Sequence, residues 1–332
     1  MRGLRLTLLI IVTFLLAACT SLSQPTPDAI IDVKLGLPPY LSNAPFLIAI
    51  EEGFFEDEGL NVEVIPLERT SNSITAIIQG DIHVAAGSLQ VNWLNAMAAN
   101  AGVKIVAGKG YFDPNGCYNS LIVSPEIVKN GEVDISLING SKVRIGEAQF
   151  VDYVSEYALK NAGVDPDSLD RLDVEQSALF EILKTGDLTL SFVAEPYRTT
   201  ILQSGNGVLW MNDGDFLPGF QYAYVYFGPR LLEDLPEVGE RFMRGYLRGV
   251  QQFRQGKTDQ NVEILANGTG LEKTFLLDAC WPTIKEVPAV NIQDLLDFQD
   301  WAVSKGYMED ILPAEQFYDS RFIDHAIEAR SK

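Results

Sequence analysis

From residue 32 onward, short apolar runs alternate with amphipathic stretches. Val33 to Leu37 reads as a strand, followed by the turn-rich segment Pro38-Pro39-Tyr40-Leu41-Ser42-Asn43. Pro45 suits the first turn of a helix, Phe46, Ala49 and Ile50 form a stripe at helical spacing, and Gly53 suits its C-terminal cap. Asn61 to Pro66 alternates Val62 and Val64 with polar neighbours, the period of a strand. Ser71 or Ser73 is placed to cap a second helix whose buried face is Ile74, Ile77 and Ile78. Gly80 ends that helix, and Asp81 leads into a strand from Ile82 to Ala86, with His83 inside it.

The order then repeats. Lys142 to Ile145 is a strand, Gly146 to Phe150 a loop, Val151 to Asn161 a helix stopping at Gly163, and Leu169 to Val174 the next strand. Leu179, Ile182 and Leu183 reproduce the spacing of Ile74, Ile77 and Ile78, and Gly186-Asp187 leads into Leu188 to Val193 as Gly80-Asp81 did. Two βαβαβ units predict two α/β lobes built on parallel sheets with right-handed crossovers. Residues 104–123 and 205–228, apolar strands broken by Gly, Pro, Asn and Asp, are the expected crossings between lobes. From Pro229 the pattern is mainly helical, with Phe242, Tyr246, Val250 and Phe253 on one face and a last helix from Ile292 to Lys305; this block is expected to pack on the first lobe. Ligands of such sheets sit beyond the carboxyl ends of strands, which selects loops 38–44, 87–93, 146–151 and 194–198.

The first eighteen residues follow a different rule. Arg2 and Arg5 precede an apolar run, Leu6 to Ala18, too short to span a bilayer, and read with it as a secretory signal. The run ends Leu16-Ala17-Ala18-Cys19, similar to a bacterial lipobox in which Cys19 is lipidated and becomes the mature N-terminus. Residues 19–31 are then the lipidated cysteine and a polar, proline-containing tether. The chain is thus expected to be exported and held to the cell membrane by a lipid anchor.

Composition removes several classes of function. With 25 Lys and Arg against 45 Asp and Glu the net charge is −20, and loss of Arg2 and Arg5 with the signal makes it −22. Most of this surface repels a phosphate backbone, so nucleic acid is not an expected partner. Two histidines and three cysteines leave little room for metal sites or histidine-based catalysis, so no metal, cofactor or catalytic residue is expected. If Cys19 is acylated, Cys117 and Cys280 remain, compatible with a disulfide and equally with two unrelated buried thiols.

Five stretches carry a family resemblance: APFLIAIEEGFFEDEGLNVEVI (44–65), IIQGDIHVAAGS (77–88), INGSKVRIG (138–146), YALKNAGVDPDSL (157–169) and TGDLTLSFVAEP (185–196). They resemble the substrate-binding proteins of ABC importers, in the branch serving nitrate, taurine, alkanesulfonates and thiamine-pyrimidine precursors. The resemblance implies a periplasmic-binding-protein-like fold of two lobes with a hinge and an intervening cleft, with Glu195-Pro196 at the corner after the last strand of the second lobe. The expected division is 32–112 with 222–332 for the first lobe and 113–221 for the second. The expected protein is a monomer that closes on a small molecule and delivers it to a permease and its ATPase.

The candidate ligand residues come from the selected loops and crossings. Tyr40 and Asn43 follow the first strand; Gly87, Ser88, Gln90 and Asn92 follow the third, with Trp93 at the core or rim. Tyr118, Asn119 and the alternating Phe220, Tyr222 and Tyr224 flank the crossings. In the second lobe Glu147, Gln149 and Phe150 stand where sulfonate- and nitrate-binding relatives often place small hydroxyl residues, and Glu195 and Tyr197 follow the last strand. A carboxylate at Glu147 opposes a bound anion, so acids plus aromatics favour a flat heterocycle, such as a pyrimidine or a flavin-like vitamin, over nitrate or a sulfonate. The alternatives are an anion-binding protein and, in another class, an enzyme like the pyrimidine-precursor synthases, whose Cys-rich run and catalytic histidine are missing here. A receptor ectodomain built on the same lobes is disfavoured by the lipobox.

Overall fold

The computed structural model describes residues 30–67 and 72–330. The signal, Cys19, the tether up to Ala29 and the capping candidate Ser71 lie outside the described residues.

Residues from Ile31 onward form one compact unit around two five-stranded sheets. The first contains β1 (Ile31–Leu37), β2 (Leu60–Pro66), β3 (Val84–Ser88) and β4 (Lys104–Tyr111). The second contains β5 (Asn119–Val123), β6 (Lys142–Arg144), β7 (Asp170–Arg171), β8 (Leu190–Ala194) and β9 (Val208–Asn212). The last strand, β10 (Gln221–Phe227), returns to the first sheet. The orders are β2-β1-β3-β10-β4 and β9-β5-β8-β6-β7. Short helices link the strands: α1 (Ala44–Glu51), α2 (Ser73–Gln79) and α3 (Val91–Ala98) in the first lobe, α4 (Phe150–Asn161), α5 (Leu179–Lys184) and α6 (Tyr197–Ser204) in the second.

The two βαβαβ units are present, with local differences from the sequence expectation. The sheets are mixed, because the strands beside the crossings run against their neighbours. β10 pairs antiparallel with β3 and β4, and β5 antiparallel with β8 and β9, while β1, β2 and β3 are parallel. β3 begins at Val84 rather than Ile82 and extends to Ser88, which puts Gly87 and Ser88 on the strand and His83 before it. The imidazole Nδ1 of His83 accepts the Lys34 N–H at 3.2 Å. Of the three isoleucines on α2 only Ile77 is fully buried, and Ile78 turns outward, 40% exposed. The strand expected over 169–174 is reduced to Asp170–Arg171.

Much of the C-terminal block packs as its sequence suggests. α7 (Pro236–Phe253) buries Val238, Phe242, Tyr246 and Val250 against α1, where Phe46 stacks on Tyr246 with centroids 4.5 Å apart. Gly249 makes that approach possible, since a Cβ there would lie 2.1 Å from the Pro45 carbonyl oxygen. The remaining helices are α8 (Asp259–Thr269), α9 (Lys273–Asp278), α10 (Ile292–Ser304), α11 (Ala314–Phe317) and α12 (Arg321–Arg330). The block does not stay on the first lobe. α10 meets α4 of the second, where the Trp301 indole donates to Glu156 at 3.1 Å and Lys305 pairs with the same carboxylate at 2.9 Å. Burial raises Glu156, but Lys160 above all, and then Lys305 and Trp301, hold it down to about 2. Cys280, after α9, is bonded to Cys117 just before β5.

Candidate functional site

The chain passes between the sheets over residues 112–118 and 213–220, and a cleft opens beside these passages. Asp213 holds the passages together: its buried carboxylate accepts the N–H groups of Tyr118 at 3.2 Å and Asn119 at 2.9 Å. Burial pushes this carboxyl up to about 7, against the pull of those donors and of Arg198.

On the first-sheet side the cleft is lined by Tyr40, Ser42, Gly87, Ser88, Gln90, Lys109, Tyr222 and Ala223. Lys109 is the feature sequence reasoning missed. Its ammonium is buried and donates to Ser42 Oγ at 3.0 Å and to Asn43 Oδ1, and among the described residues it forms no ion pair. Burial alone lowers it from 10.5 to about 7. Its sequence signal was a lysine inside an apolar strand, between glycines, in Val106-Ala107-Gly108-Lys109-Gly110. Those glycines make room for β10: a Cβ on Gly108 would meet the Gln221 amide at 1.9 Å, and one on Gly110 the Tyr222 hydroxyl at 2.8 Å.

From the second sheet come Tyr118, Asn119, Arg144, Gly146, Gln149, Phe150, Val151, Asp173, Glu175, Gln176, Phe192 and Ala194. Phe150 stacks on Tyr222 at 5.2 Å and meets the edge of Phe192 at 5.7 Å. Arg144 donates to the carbonyls of Val174 and Phe192, each at 3.1 Å. Gln176 reaches across to donate to the Tyr40 hydroxyl at 3.4 Å. Two main-chain hydrogen bonds also cross between the lobes. The Val91 N–H donates to Ala148 O and the Phe150 N–H to Leu89 O, each at 3.0 Å, forming a bridge at Gln90 and Gln149. The N-terminus of α4 is thereby engaged by the first lobe's main chain.

Buried polar groups without partners mark the interior. Asn119 Nδ2 and the Tyr222 hydroxyl belong to residues 1% and 3% exposed, and neither has a hydrogen-bond partner among the described residues. Asn119 lies near both Asp213 and Tyr222 without its amide completing a bond to either. Each unsatisfied group costs about 1–3 kcal/mol. Burial pushes the phenols of Tyr40, Tyr118 and Tyr222 upward.

Of the expected ligand residues, Tyr40, Gly87, Ser88, Gln90, Tyr118, Asn119, Gln149, Phe150 and Tyr222 line the cleft. The others stand elsewhere. Asn43 sits behind the wall, donating to Pro38 O at 2.6 Å and holding Lys109. Asn92 is exposed on α3, because the chain turns helical at Val91. Glu147 points outward and accepts from the Tyr307 hydroxyl at 3.3 Å. Glu195 is fully buried behind the sheet, accepting from Thr199 N at 3.1 Å, Thr199 Oγ1 at 2.6 Å and Cys280 N at 3.0 Å, with Arg198 at 3.6 Å. Tyr197 packs with Leu172, Val174 and Leu202 against a small second core. With Glu147 and Glu195 outside the cleft, the argument they supplied for a heterocycle over an anion falls away.

Among the described residues no cluster of His, Cys, Asp and Glu is arranged to hold a metal ion, and no helix is long and apolar enough to cross a membrane.

A family model described as NMT1/THI5 like matches residues 41–256 of the 332. No curated protein matches the chain. Among solved structures, the ligand-binding component of an ABC-type import system from Staphylococcus aureus, with zinc bound, is 13% identical and superposes with a TM-score of 0.71 over 89% of this chain and 99% of that one. The alkanesulfonate-binding protein SsuA from Xanthomonas axonopodis pv. citri, bound to MOPS, is 12% identical, with a TM-score of 0.67 over 88% and 99%. The desulfurization enzyme DSZB is 11% identical, with a TM-score of 0.65 over 90% and 95%. The fold is that of the periplasmic binding proteins, two α/β lobes with a cleft between them.

Proposed function

The chain belongs to the NMT1/THI5-like family, and on that premise we propose that it is the extracytoplasmic solute-binding subunit of an ABC importer. The observation that carries this reading is the cleft itself, walled by both lobes and lined by buried donors that lack partners among the described residues. Such groups are costly in the empty state and are satisfied by a ligand that both lobes touch. A ligand of that kind adds free energy only when the lobes are together, so it shifts the hinge equilibrium toward closure. The closed form is what a permease and its ATPase would receive.

The lobes proposed are 32–112 with 222–332 and 113–221, acting as a monomer. Export through residues 1–18 and lipidation of Cys19 would keep the protein beside its permease. Binding rather than turnover is supported by the likeness of the fold to the ligand-binding component from Staphylococcus aureus and to the alkanesulfonate-binding protein SsuA.

Mass spectrometry of small molecules released from the purified protein tests the proposal, followed by thermal unfolding with vitamins, pyrimidines, polyamines, sulfonates and organic acids. A true ligand at 100 times its Kd stabilises by about 2.7 kcal/mol. Chemical conversion of the bound molecule, or no stabilisation by any solute class, would refute the reading.

A further inference from the structure

Within the proposed solute-binding role, and dependent on it, we propose that the cleft selects an organic acid whose anionic group pairs with Lys109 and whose neutral acceptor is held by Asn119 and Tyr222. Lys109 is 2% exposed and answered only by the neutral oxygens of Ser42 and Asn43. A buried cation without a counter-ion is strongly unfavourable, and an incoming anion relieves that penalty. The first-lobe side of the site is therefore built around a charge that the protein itself leaves unmatched.

The other donors call for something different. Asn119 Nδ2 and the Tyr222 hydroxyl are unpartnered and line the same cleft, but Asp213 lies beside them, its carboxylate bonded to the Asn119 main chain. A second negative group there would face that carboxylate, whereas a carbonyl or hydroxyl oxygen would not. On the opposite wall Phe150 and Phe192 offer no donor, and Arg144 gives Nε and Nη1 to the carbonyls of Val174 and Phe192. Gln176 gives its amide to the Tyr40 hydroxyl, and the helix N-terminus at Phe150 gives its N–H to Leu89. A small inorganic oxyanion, which needs donors on every side, is poorly served by this wall. A molecule with one acidic end, one neutral acceptor and a flat or apolar body uses all of it.

The test is calorimetric titration of the purified protein with benzoate, 4-hydroxybenzoate, pyruvate, 2-oxobutyrate, benzenesulfonate and methanesulfonate, alongside nitrate, sulfate and the neutral amides of the carboxylates. At least one acid that carries a neutral acceptor, 4-hydroxybenzoate, pyruvate or 2-oxobutyrate, should bind about 100-fold more tightly than its amide, the discrimination expected when a buried charge is left unpaired. Binding of a simple sulfonate alone overturns the acceptor assignment. Lys109→Met should abolish that difference, and Tyr222→Phe should weaken binding about tenfold without changing the preference for charge. The unfolding midpoint of each variant reports whether it folds.

Should Lys109→Met fail to fold, the acid–amide comparison in the unmutated protein and Tyr222→Phe still decide. Binding of nitrate or sulfate alone, binding of neutral or cationic solutes alone, or an organic acid indifferent to both variants overturns the assignment. If no organic acid binds while another solute does, the assignment fails and the solute-binding role stands. If nothing binds, both fail.

Discussion

On the first-lobe side of the cleft, Lys109 is buried and touches only neutral oxygens; on the second-lobe side, Arg144 commits Nε and Nη1 to the carbonyls of Val174 and Phe192. Both are cations lining one cavity. Arg144 is part of the scaffold, fixing the loop after β7 to the middle of β8. Lys109 is held in place by Ser42 and Asn43 without being neutralised. Both cations are held by neutral oxygens, and what sets Lys109 apart is that it is fully buried while Arg144 is half-buried, so its charge costs more to leave without an anion.

The largest expected effect comes from loosening the second lobe's attachment. The Cys117–Cys280 bond closes a separation of 163 residues, and a Cys117→Ser/Cys280→Ser variant should lose about 2–5 kcal/mol in denaturant titration. An unchanged midpoint would mean that Glu195, through Cys280 N, holds that wall unaided. Next, Lys109→Met should raise the stability of the ligand-free protein. Its amine falls from 10.5 to about 7, roughly 5 kcal/mol of burial penalty. Leaving the Ser42 and Asn43 oxygens unpaired, at about 1–3 kcal/mol each, returns at least about 2 kcal/mol of that gain. A net gain of at most about 3 kcal/mol in chemical unfolding is expected, together with lost anion binding. Destabilisation instead would make Lys109 a structural cation like Arg144.

The third prediction concerns pH. Below about 7 the free protein carries the charged Lys109, and above it an anionic ligand must bring a proton with it. Affinity should fall above pH 7 by up to tenfold per unit, to about 100-fold by pH 9, and Asp213, whose carboxyl burial pushes up to about 7, titrates over the same range beside Asn119 and Tyr222. Tyr40, Tyr118 and Tyr222 do not interfere, since burial pushes all three upward. Titrations at pH 6 and pH 9 check the sign. The smallest effect is Glu195→Gln, which should cost about 1–3 kcal/mol of stability by weakening the bonds to Thr199 and Cys280. Ligand affinity should stay within about threefold, and a large loss would return Glu195 to the site.

The repeated βαβαβ order was readable because strand and helix periods differ, and Gly80-Asp81 and Gly186-Asp187 mark the same joint twice. The antiparallel entry of β5 and β10 was not, since nothing in an apolar run such as Tyr222 to Phe227 records direction. For the site, loop position found Tyr40, Gln90, Gln149 and Phe150. It failed for Glu147, Glu195 and Asn92, because placing a residue beyond a strand end leaves its side-chain direction open. Lys109 escaped for the opposite reason: it lies within a strand, where pattern reading looks for core. The glycines around it marked crowding by β10, which becomes visible only once the strands are paired.

The bridge at Gln90 and Gln149 is made of main-chain atoms alone. Most single side-chain replacements leave such a seam in place, while on the proposed reading a replacement at Lys109, Asn119 or Tyr222 alters what the cavity accepts. Closure and selectivity would then be inherited separately in this chain. A lineage can exchange one cargo for another by drift in a handful of lining positions while the act of shutting, and the shape presented when shut, carries on unchanged.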